Sequence, residues 1–284
     1  MREHNSKNKV AVIMSVYNGE RAEFLDLSIK SIVQEQTYKN LVLFLAIDGS
    51  VSRDLNTVIE TYTEKFPNIV LYRSQKREGL SVNLNNILID IYKDFDYLAR
   101  MDSDDISLPQ RIERQVEYLE ENSKVDLVGS SFIEIGDDGK QQRTVNNPLT
   151  DKKIVRYFGI RNPISHPTVM FRSRFFKKAN FYPVTYKDWY PVALPVEDTL
   201  FWIKAKKSGC IFANISEPLL YFRATTELIQ RRGGLRMSLL EFSIRKKVIR
   251  EFNLSRFYYF FSVSNLFARL LPIRLKKVLW KLRQ

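Results

Sequence analysis

The chain has 284 residues, of which 44% are hydrophobic and 27% charged, enough for one large α/β domain with an appendage. This composition excludes wholesale disorder, a collagen-like fibre and a polytopic membrane protein. A single cysteine, Cys210, and two histidines, His4 and His166, exclude a disulfide framework and zinc sites built on Cys or His. No glycine-rich phosphate motif occurs, so a bound nucleotide is not held by a glycine cradle.

The net charge of +13 lies almost entirely near the C-terminus. Residues 231–284 hold 14 Lys and Arg against Glu241 and Glu251, whereas residues 1–230 carry a net charge of +1. A basic segment of this kind binds nucleic acid, binds an anionic membrane surface, or is simply solvated. The shift in composition predicts a domain at 1–230 and a basic tail at 231–284.

Neither an export signal nor a membrane span is expected. The apolar stretch at 10–16 has seven residues and no small-residue cleavage site after it. The apolar stretch at 257–268 has twelve residues, well short of the ~20 that cross a bilayer. We therefore expect a cytoplasmic protein that does not cross a membrane by itself.

Strand-like and helix-like periods alternate from residue 9 to about 136. Apolar runs predict strands at 9–16, 41–48, 68–74, 97–102 and 126–135. Amphipathic periods between them predict helices at 23–36, 53–65, 80–93 and 109–121. Such repeats predict an α/β fold with a mostly parallel central sheet flanked by helices. Parallel sheets bind ligands at the carboxyl ends of their strands, so chemistry is expected there.

Beyond residue 139 the periods are less regular. They predict a helix at 150–158, a strand at 167–173, a loop at 180–196, a helix at 197–207 and a strand at 211–224. From about 233 the sequence predicts two or three amphipathic helices, broken at 253–255 and at Pro272.

Three clustered acids follow the fourth strand: Asp102, Asp104 and Asp105. In an extended segment, residues 102 and 104 project to the same side, so two hard oxygen ligands could hold Mg²⁺ or Mn²⁺ against a diphosphate. Alternatively, Asp104 or Asp105 caps the following helix. One acid suffices for a cap, so the cluster favours the metal.

Other polar positions each allow two interpretations. Asp48, which ends the second strand, forms a turn and helix cap or accepts a hydrogen bond from a nucleobase. Glu197 and Asp198 open a helix, either to complement its dipole or to supply a single base, since adjacent helical residues diverge. His166 is either a structural histidine or a catalytic one.

Taken together and in this order, these motifs resemble glycosyltransferase family 2, whose fold is called GT-A. The resemblance covers about residues 8–225. The matching stretches are VIMSVYNGE (12–20), SIVQEQTY (31–38), IDGS (47–50), MDSDDISLP (101–109), NPISHPTVMFRS (162–173), VEDTLFW (196–202) and EPLLYFR (217–223). The combination is specific, although each motif alone is not.

The resemblance implies a nucleotide-sugar half at about 8–105 and an acceptor half at about 106–230. On the nucleotide side, it places Asp48 against the base. It implies that the nucleotide pocket is lined by Ser15, Val16, Tyr17 and Glu20.

The resemblance also assigns the chemistry. Asp102 and Asp104 match the family's D-x-D, with Asp104 the direct metal ligand and Asp102 near the ribose or the metal. Asp198 matches the general base, with Glu197 beside it. His166 lies where family members carry a histidine near the active centre, and its role is left open.

Two departures from the family pattern matter. The acidic pair that usually precedes Gly-Ser is reduced to Ile47-Asp48. The Q-x-x-R-W signature of processive polymerases is absent, which favours addition of one sugar. Arg231, or Arg232 or a nearby loop, is expected to close over the diphosphate.

We therefore expect an inverting, Mn²⁺- or Mg²⁺-dependent enzyme that transfers a hexose from a nucleoside diphosphate sugar to a hydroxyl of a lipid-linked glycan. The tail would bind the anionic inner face of the cell membrane, or pack on the domain or on a second subunit of a homodimer. Nucleic acid is not expected as a partner. The rival interpretations are a nucleotidyltransferase and a non-enzymatic membrane- or nucleic-acid-binding protein.

Overall fold

Strands and helices alternate through the first half of the chain, as the hydrophobic pattern predicts. The computed structural model describes residues 8–184, 196–225 and 234–270. The strands are β1 (Val10–Tyr17), β2 (Leu41–Asp48), β3 (Ile69–Ser74), β4 (Tyr97–Asp102), β5 (Ile106–Ser107), β6 (Leu127–Ile135), β7 (Gln141–Val145), β8 (Met170–Arg172) and β9 (Phe212–Arg223). The helices are α1 (Ala22–Val33), α2 (Arg53–Lys65), α3 (Leu80–Ile91), α4 (Arg111–Glu121), α5 (Asp151–Tyr157), α6 (Ser173–Ala179), α7 (Glu197–Lys207), α8 (Leu235–Glu251) and α9 (Tyr258–Leu270).

The strands form one mixed sheet in the order β3-β2-β1-β4-β8-β6-β9-β5, with β7 added beside β6. The first four strands are parallel to one another, and β6 and β9 also pair in parallel. The pairings of β8, β5 and β7 are antiparallel. The predicted α/β class, a central sheet flanked by helices, is confirmed.

Side chains of the sheet alternate between two hydrophobic layers. On β1, Ala11 and Ile13 face one layer, whereas Val10, Val12 and Met14 face the other. Helices α3, α6, α7 and α8 cover the first layer, and α1, α2 and α4 cover the second. Because the sheet is buried on both faces, its polar groups come to the strand ends.

The strand predicted at 167–173 is shorter than expected. His166–Thr168 forms a 3-10 turn, and β8 is only three residues long before α6 begins at Ser173. Proline at position 167 cannot donate a ladder hydrogen bond, which favours a turn there.

Hydrophobic periodicity also did not indicate β7, a mostly exposed polar strand that the Arg143–Glu134 ion pair holds against β6.

The described part of the tail packs on the rest of the protein. Helix α8 contributes Leu240, Ile244 and Val248 to the first hydrophobic layer. Helix α9 contacts the loop after α5, where a Cβ on Gly159 would lie 2.6 Å from the Tyr258 ring. Helices α8 and α9 are thus in contact with the domain, and the predicted division into a domain and a tail stays a prediction. None of the helices in the described ranges combines the length and the apolar character that a bilayer crossing requires.

Candidate active site

The ends of β1, β2 and β4 meet at one edge of the sheet. Their parallel register sets Ser15 opposite Asp102 and Tyr17 opposite Asp48. The Val16 side chain is fully buried in the core, so only its backbone faces this edge. The predicted residues of the first, second and fourth strands therefore share one place in the fold.

Three carboxylates form an acidic cluster at this edge. Oxygen atoms of Asp102, Asp104 and Asp105 all lie within 4.8 Å of one another. Burial and the charge of Asp102 raise the pKa of Asp104 from 3.8 to about 7, and burial with the charge of Asp104 raises the pKa of Asp105 well above 3.8. The cluster is short of positive charge, as a cation site is before the cation binds.

Glu20 adds a fourth acid to this cluster. The Ser103 hydroxyl donates a hydrogen bond of 3.0 Å to Glu20 Oε2, and the Arg21 backbone N–H donates to Oε1. Burial raises the pKa of Glu20, and the Asp102 charge adds to that effect. Glu20 thus borders the acidic cluster as well as the end of β1.

Helix capping does not explain the acidic cluster. Helix α4 begins only at Arg111, after Gln110. Asp105 instead accepts a hydrogen bond of 2.8 Å from the Arg223 backbone N–H on β9. Its other oxygen, Oδ2, is buried and has no hydrogen-bond partner among the described residues. An orphaned carboxylate oxygen beside two others is a suitable ligand set for a hard divalent cation.

The Asp48 carboxylate is engaged with the backbone of another segment. It accepts hydrogen bonds from the N–H groups of Glu78 (2.7 Å) and Gly79, just before α3. These bonds draw residues 78–79 across the end of β2. The structure therefore gives Asp48 an ordering role, and its contact with a nucleobase stays a prediction.

Tyr17 forms a stacked pair at the same edge. The Arg77 guanidinium lies 4.7 Å from the centre of the Tyr17 ring. The ring in turn covers Gly19, where a Cβ would approach it to 2.3 Å, so a larger residue at position 19 would require the ring to move. A pocket of about 290 Å³ opens beyond β2 and β3, lined in part by Gly49, Asn56 and Arg73.

Helix α7 brings Glu197 and Asp198 to the site from the C-terminal half. Asp198 Oδ2 accepts a hydrogen bond of 2.7 Å from the Asn162 side chain, and Oδ1 accepts from the backbone N–H and the hydroxyl of Thr199. Burial raises the pKa of Glu197 to about 7, and the charges of Asp198 and Asp102 contribute in the same direction. Glu197 is therefore within electrostatic reach of the acidic cluster.

His166 is buried beneath the site. Its Nε2 lies 2.7 Å from the Tyr182 hydroxyl, and its ring packs edge-on against Trp202 at 5.7 Å. Burial holds the pKa of His166 well below its usual range, so the imidazole is neutral. A neutral, stacked histidine supports the position of Tyr182. Arg231 and Arg232 lie outside the described residues, so their predicted closure over a diphosphate has no structural counterpart here.

The sequence of this chain matches the profile of a known family over most of its domain. The sequence profile of Glycosyl transferase family 2 matches residues 11–179, more than half of the chain. The chain belongs to glycosyltransferase family 2. The predicted resemblance is confirmed, and with it the transferase class of the protein.

Relatives of this family 2 glycosyltransferase match along nearly its whole length. The amylovoran biosynthesis glycosyltransferase AmsE of Erwinia amylovora is 29% identical, covering 95% of this chain and 97% of the relative. The UDP-Gal:alpha-D-GlcNAc-diphosphoundecaprenol beta-1,3-galactosyltransferase of Escherichia coli is 26% identical, covering 96% and 95%. The crystal structure of TarS 1–349 of S. aureus in complex with UDP superimposes with a TM-score of 0.63 at 17% identity, covering 96% of this chain and 78% of that one. The likeness to TarS supports the GT-A fold.

Two arginines of this family 2 glycosyltransferase were missed as site residues. Arg100 is almost fully buried and forms an ion pair with Asp102. Arg223 donates from Nε to the Asp104 carbonyl (2.9 Å) and places its guanidinium 3.8 Å from the Phe24 ring. Arg100 lay in an apolar strand run and Arg223 at the end of a distant strand. The only signal for Arg100 was its place two residues before Asp102, and nothing beside Arg223 in the sequence pointed to the acids.

Arg100→Met is expected to destabilise the glycosyltransferase by on the order of 3 kcal/mol at pH 8, because it leaves the acidic cluster without its buried counter-charge. The loss should be smaller at pH 5. Asp104 and Asp105 have pKa values above their ordinary ones, so they take up protons as the pH falls and the repulsion within the cluster is relieved. Urea unfolding at both pH values tests this, and equal losses would show that Arg100 matters through packing alone.

Proposed function

We propose that this chain is an inverting, metal-dependent hexosyltransferase. It transfers a sugar from a nucleoside diphosphate donor, a UDP-sugar, to a hydroxyl of a lipid-linked glycan in cell-surface polysaccharide synthesis. The reaction takes place on the inner face of the cell membrane. The observation that carries the proposal is the acidic cluster at the ends of β1 and β4, with Glu197 and Asp198 brought to it by α7.

The acidic cluster fits a divalent cation. Asp104 and Asp102 would hold Mn²⁺ or Mg²⁺, since both ions prefer hard oxygen ligands. When bound, the ion offsets the charge that builds on the leaving diphosphate. Arg100 fixes the Asp102 carboxylate by its ion pair, and Arg223 holds the backbone of Asp104, so the ligands are oriented before any ion arrives.

The donor nucleotide lies over the ends of β1 and β2 in this proposal. Ser15, the Val16 backbone and Glu20 border the donor, and Tyr17, with the Arg77 guanidinium 4.7 Å from the centre of its ring, lies beside it. Asp48 holds the neighbouring segment 78–79 in place. UDP in the TarS complex and the UDP-sugar in the name of the E. coli relative support a uridine nucleotide.

Asp198 is the proposed general base. Asn162 and Thr199 fix its carboxylate, so one oxygen is presented to an acceptor hydroxyl at a defined angle. The base takes the proton as the acceptor oxygen attacks the anomeric carbon from the face opposite the diphosphate. A single displacement inverts the configuration at that carbon. Glu197 lies beside Asp198 in the chain, and we do not assign the proton transfer to it.

The experiment is a panel of UDP- and GDP-sugars incubated with the full chain and Mn²⁺. We expect one donor to raise the melting temperature and to release nucleoside diphosphate slowly in the absence of acceptor. In a parallel reaction with UTP or GTP and a sugar 1-phosphate, release of pyrophosphate would instead identify a nucleotidyltransferase. No stabilisation by any nucleotide sugar, with or without the ion, would contradict the proposal.

A further inference from the structure

Helix α9 presents a row of phenylalanine rings to solvent. Phe257, Phe260 and Phe267 are 66%, 67% and 63% exposed, and Val263 is 41% exposed. At about 100° per residue Phe260, Val263 and Phe267 fall on one side of the helix, and Phe257 lies in the turn just before it. The rings of Phe257 and Phe260 are stacked, with centroids 6.2 Å apart. We call these four residues the phenylalanine face.

The exposure does not arise from a helix that has come loose from the protein. The opposite side of α9 packs on the domain. Ser262 is buried and the Tyr258 ring covers Gly159. The Asn265 side chain donates a hydrogen bond of 3.0 Å to the Ile160 carbonyl. One side of α9 is thus fixed to the domain while the other remains apolar and open. A row of exposed aromatic rings on a fixed helix is typical of an interaction surface.

The positive charge of the tail indicates which kind of partner the phenylalanine face binds. Residues 231–284 carry a net charge of +12, and exposed cations of the described part include Lys246 and Arg250 on α8 and Arg256 in the turn before α9. A second copy of the chain would bring another surface of the same sign, and the two would repel each other. An anionic bilayer offers opposite charge at the headgroups and apolar chains just below, which matches basic residues beside phenylalanines.

We propose that the phenylalanine face is a membrane-docking surface that inserts into the headgroup region of an anionic bilayer. This deepens the proposed function by naming the surface that meets the lipid. It rests on the proposed function only where it assumes that the acceptor is linked to a lipid. Binding needs no unfolding of the tail, because α8 and α9 stay packed on the domain.

The position of α9 gives the docking a consequence for the site. The helix contacts Gly159 and Ile160, and two residues later Asn162 donates its hydrogen bond to Asp198. One short loop therefore joins the docking surface to the proposed base. With the phenylalanine face in the bilayer, the acceptor side of the site is held near the lipid surface, where a lipid-linked hydroxyl would be presented.

The test is co-sedimentation of the full chain with vesicles of phosphatidylcholine containing about one third phosphatidylglycerol, at low salt and without substrates. The triple variant Phe257→Ser, Phe260→Ser, Phe267→Ser should lower the partition coefficient at least about tenfold. The matched control changes Leu27→Ser and Ile89→Ser, which are exposed apolar residues on α1 and α3, and should bind as wild type. Added salt should weaken wild-type binding.

Several outcomes would overturn the proposal. These are no binding of wild type to the anionic vesicles, equal binding by the triple variant, and a wild-type dimer that the triple variant converts to a monomer without any vesicle binding. An unchanged melting temperature and circular dichroism spectrum of the triple variant show that it is folded, and the single variant Phe260→Ser replaces it if it does not fold. Because vesicle binding is measured without donor or acceptor, its failure is separate from a failure of the proposed reaction.

Discussion

Asp104→Asn is expected to abolish nearly all glycosyl transfer and most of the Mn²⁺-dependent affinity for the donor nucleotide. The substitution removes one of the three carboxylates that lie within 4.8 Å of one another and leaves an amide, a much weaker ligand for a hard cation. A loss of ~10²–10³-fold in turnover is expected, the range seen when one preorganised stabiliser of developing charge is removed. Donor release assays and calorimetric titration with Mn²⁺ measure both effects.

The variant should keep its fold. Since the pKa of Asp104 is raised from 3.8 to about 7, its ionised form destabilises the folded state; that cost grows as the pH rises from about 4 to about 7 and is fully present at pH 8. Asp104→Asn should therefore unfold at the same or a higher temperature than wild type at pH 8. Asp138→Asn, a change at an exposed acid paired with Lys140, is the matched control. Normal turnover by Asp104→Asn, or activity undiminished by excess chelator, would refute the metal assignment.

The first half of the fold follows from hydrophobic periodicity. Continuous apolar runs mark β1, β2 and β4, because these strands are buried on both faces and have no solvent side to carry polar residues. Their parallel order also predicted that Ser15, Asp48 and Asp102 end at one edge. The acidic cluster was therefore found from local sequence alone.

What local sequence could not supply is the partner of each acid. Asp105 meets Arg223 from a strand 118 residues away, and Asp48 is bound by the backbone of residues 78 and 79. A backbone donor has no side-chain signature, so no composition or spacing reveals it. Arg100 was hidden for a different reason: a buried arginine in an apolar strand is recognisable only once its counter-charge, Asp102, is seen beside it.

The same limit applies to the pair that opens α7. Spacing indicated that only one of Glu197 and Asp198 faces a given substrate, without saying which. In the structure they differ in environment: Asp198 is held by Asn162 and Thr199, whereas the pKa of Glu197 is raised to about 7 by burial and neighbouring charge. Because Asp198 is held in one orientation and Glu197 has a raised pKa, replacing each of them should affect turnover differently.

Asp198→Asn is expected to cut turnover by at least ~10², the lower end of what a general base contributes. The amide cannot take the acceptor proton. Its carbonyl oxygen can still accept from the Thr199 backbone N–H, whereas its NH2 group cannot accept from Asn162, so we expect a small loss of stability with the fold retained. Donor affinity should barely change, since the base acts on the acceptor. Single-turnover rates with saturating donor, and donor titrations in the absence of acceptor, separate the two quantities.

The matched variant is Glu197→Gln, which removes the neighbouring charge and keeps the shape. If Asp198 is the base, Glu197→Gln should keep substantial turnover while Asp198→Asn does not. The reverse pattern would assign proton transfer to Glu197, and a large loss of donor binding in Asp198→Asn with turnover otherwise intact would make Asp198 structural. Asn162→Ala adds an intermediate case, because it removes the hydrogen bond that orients the Asp198 carboxylate and leaves the carboxylate itself in place. It should lower turnover less than Asp198→Asn and leave donor affinity unchanged, as a positioning contact does.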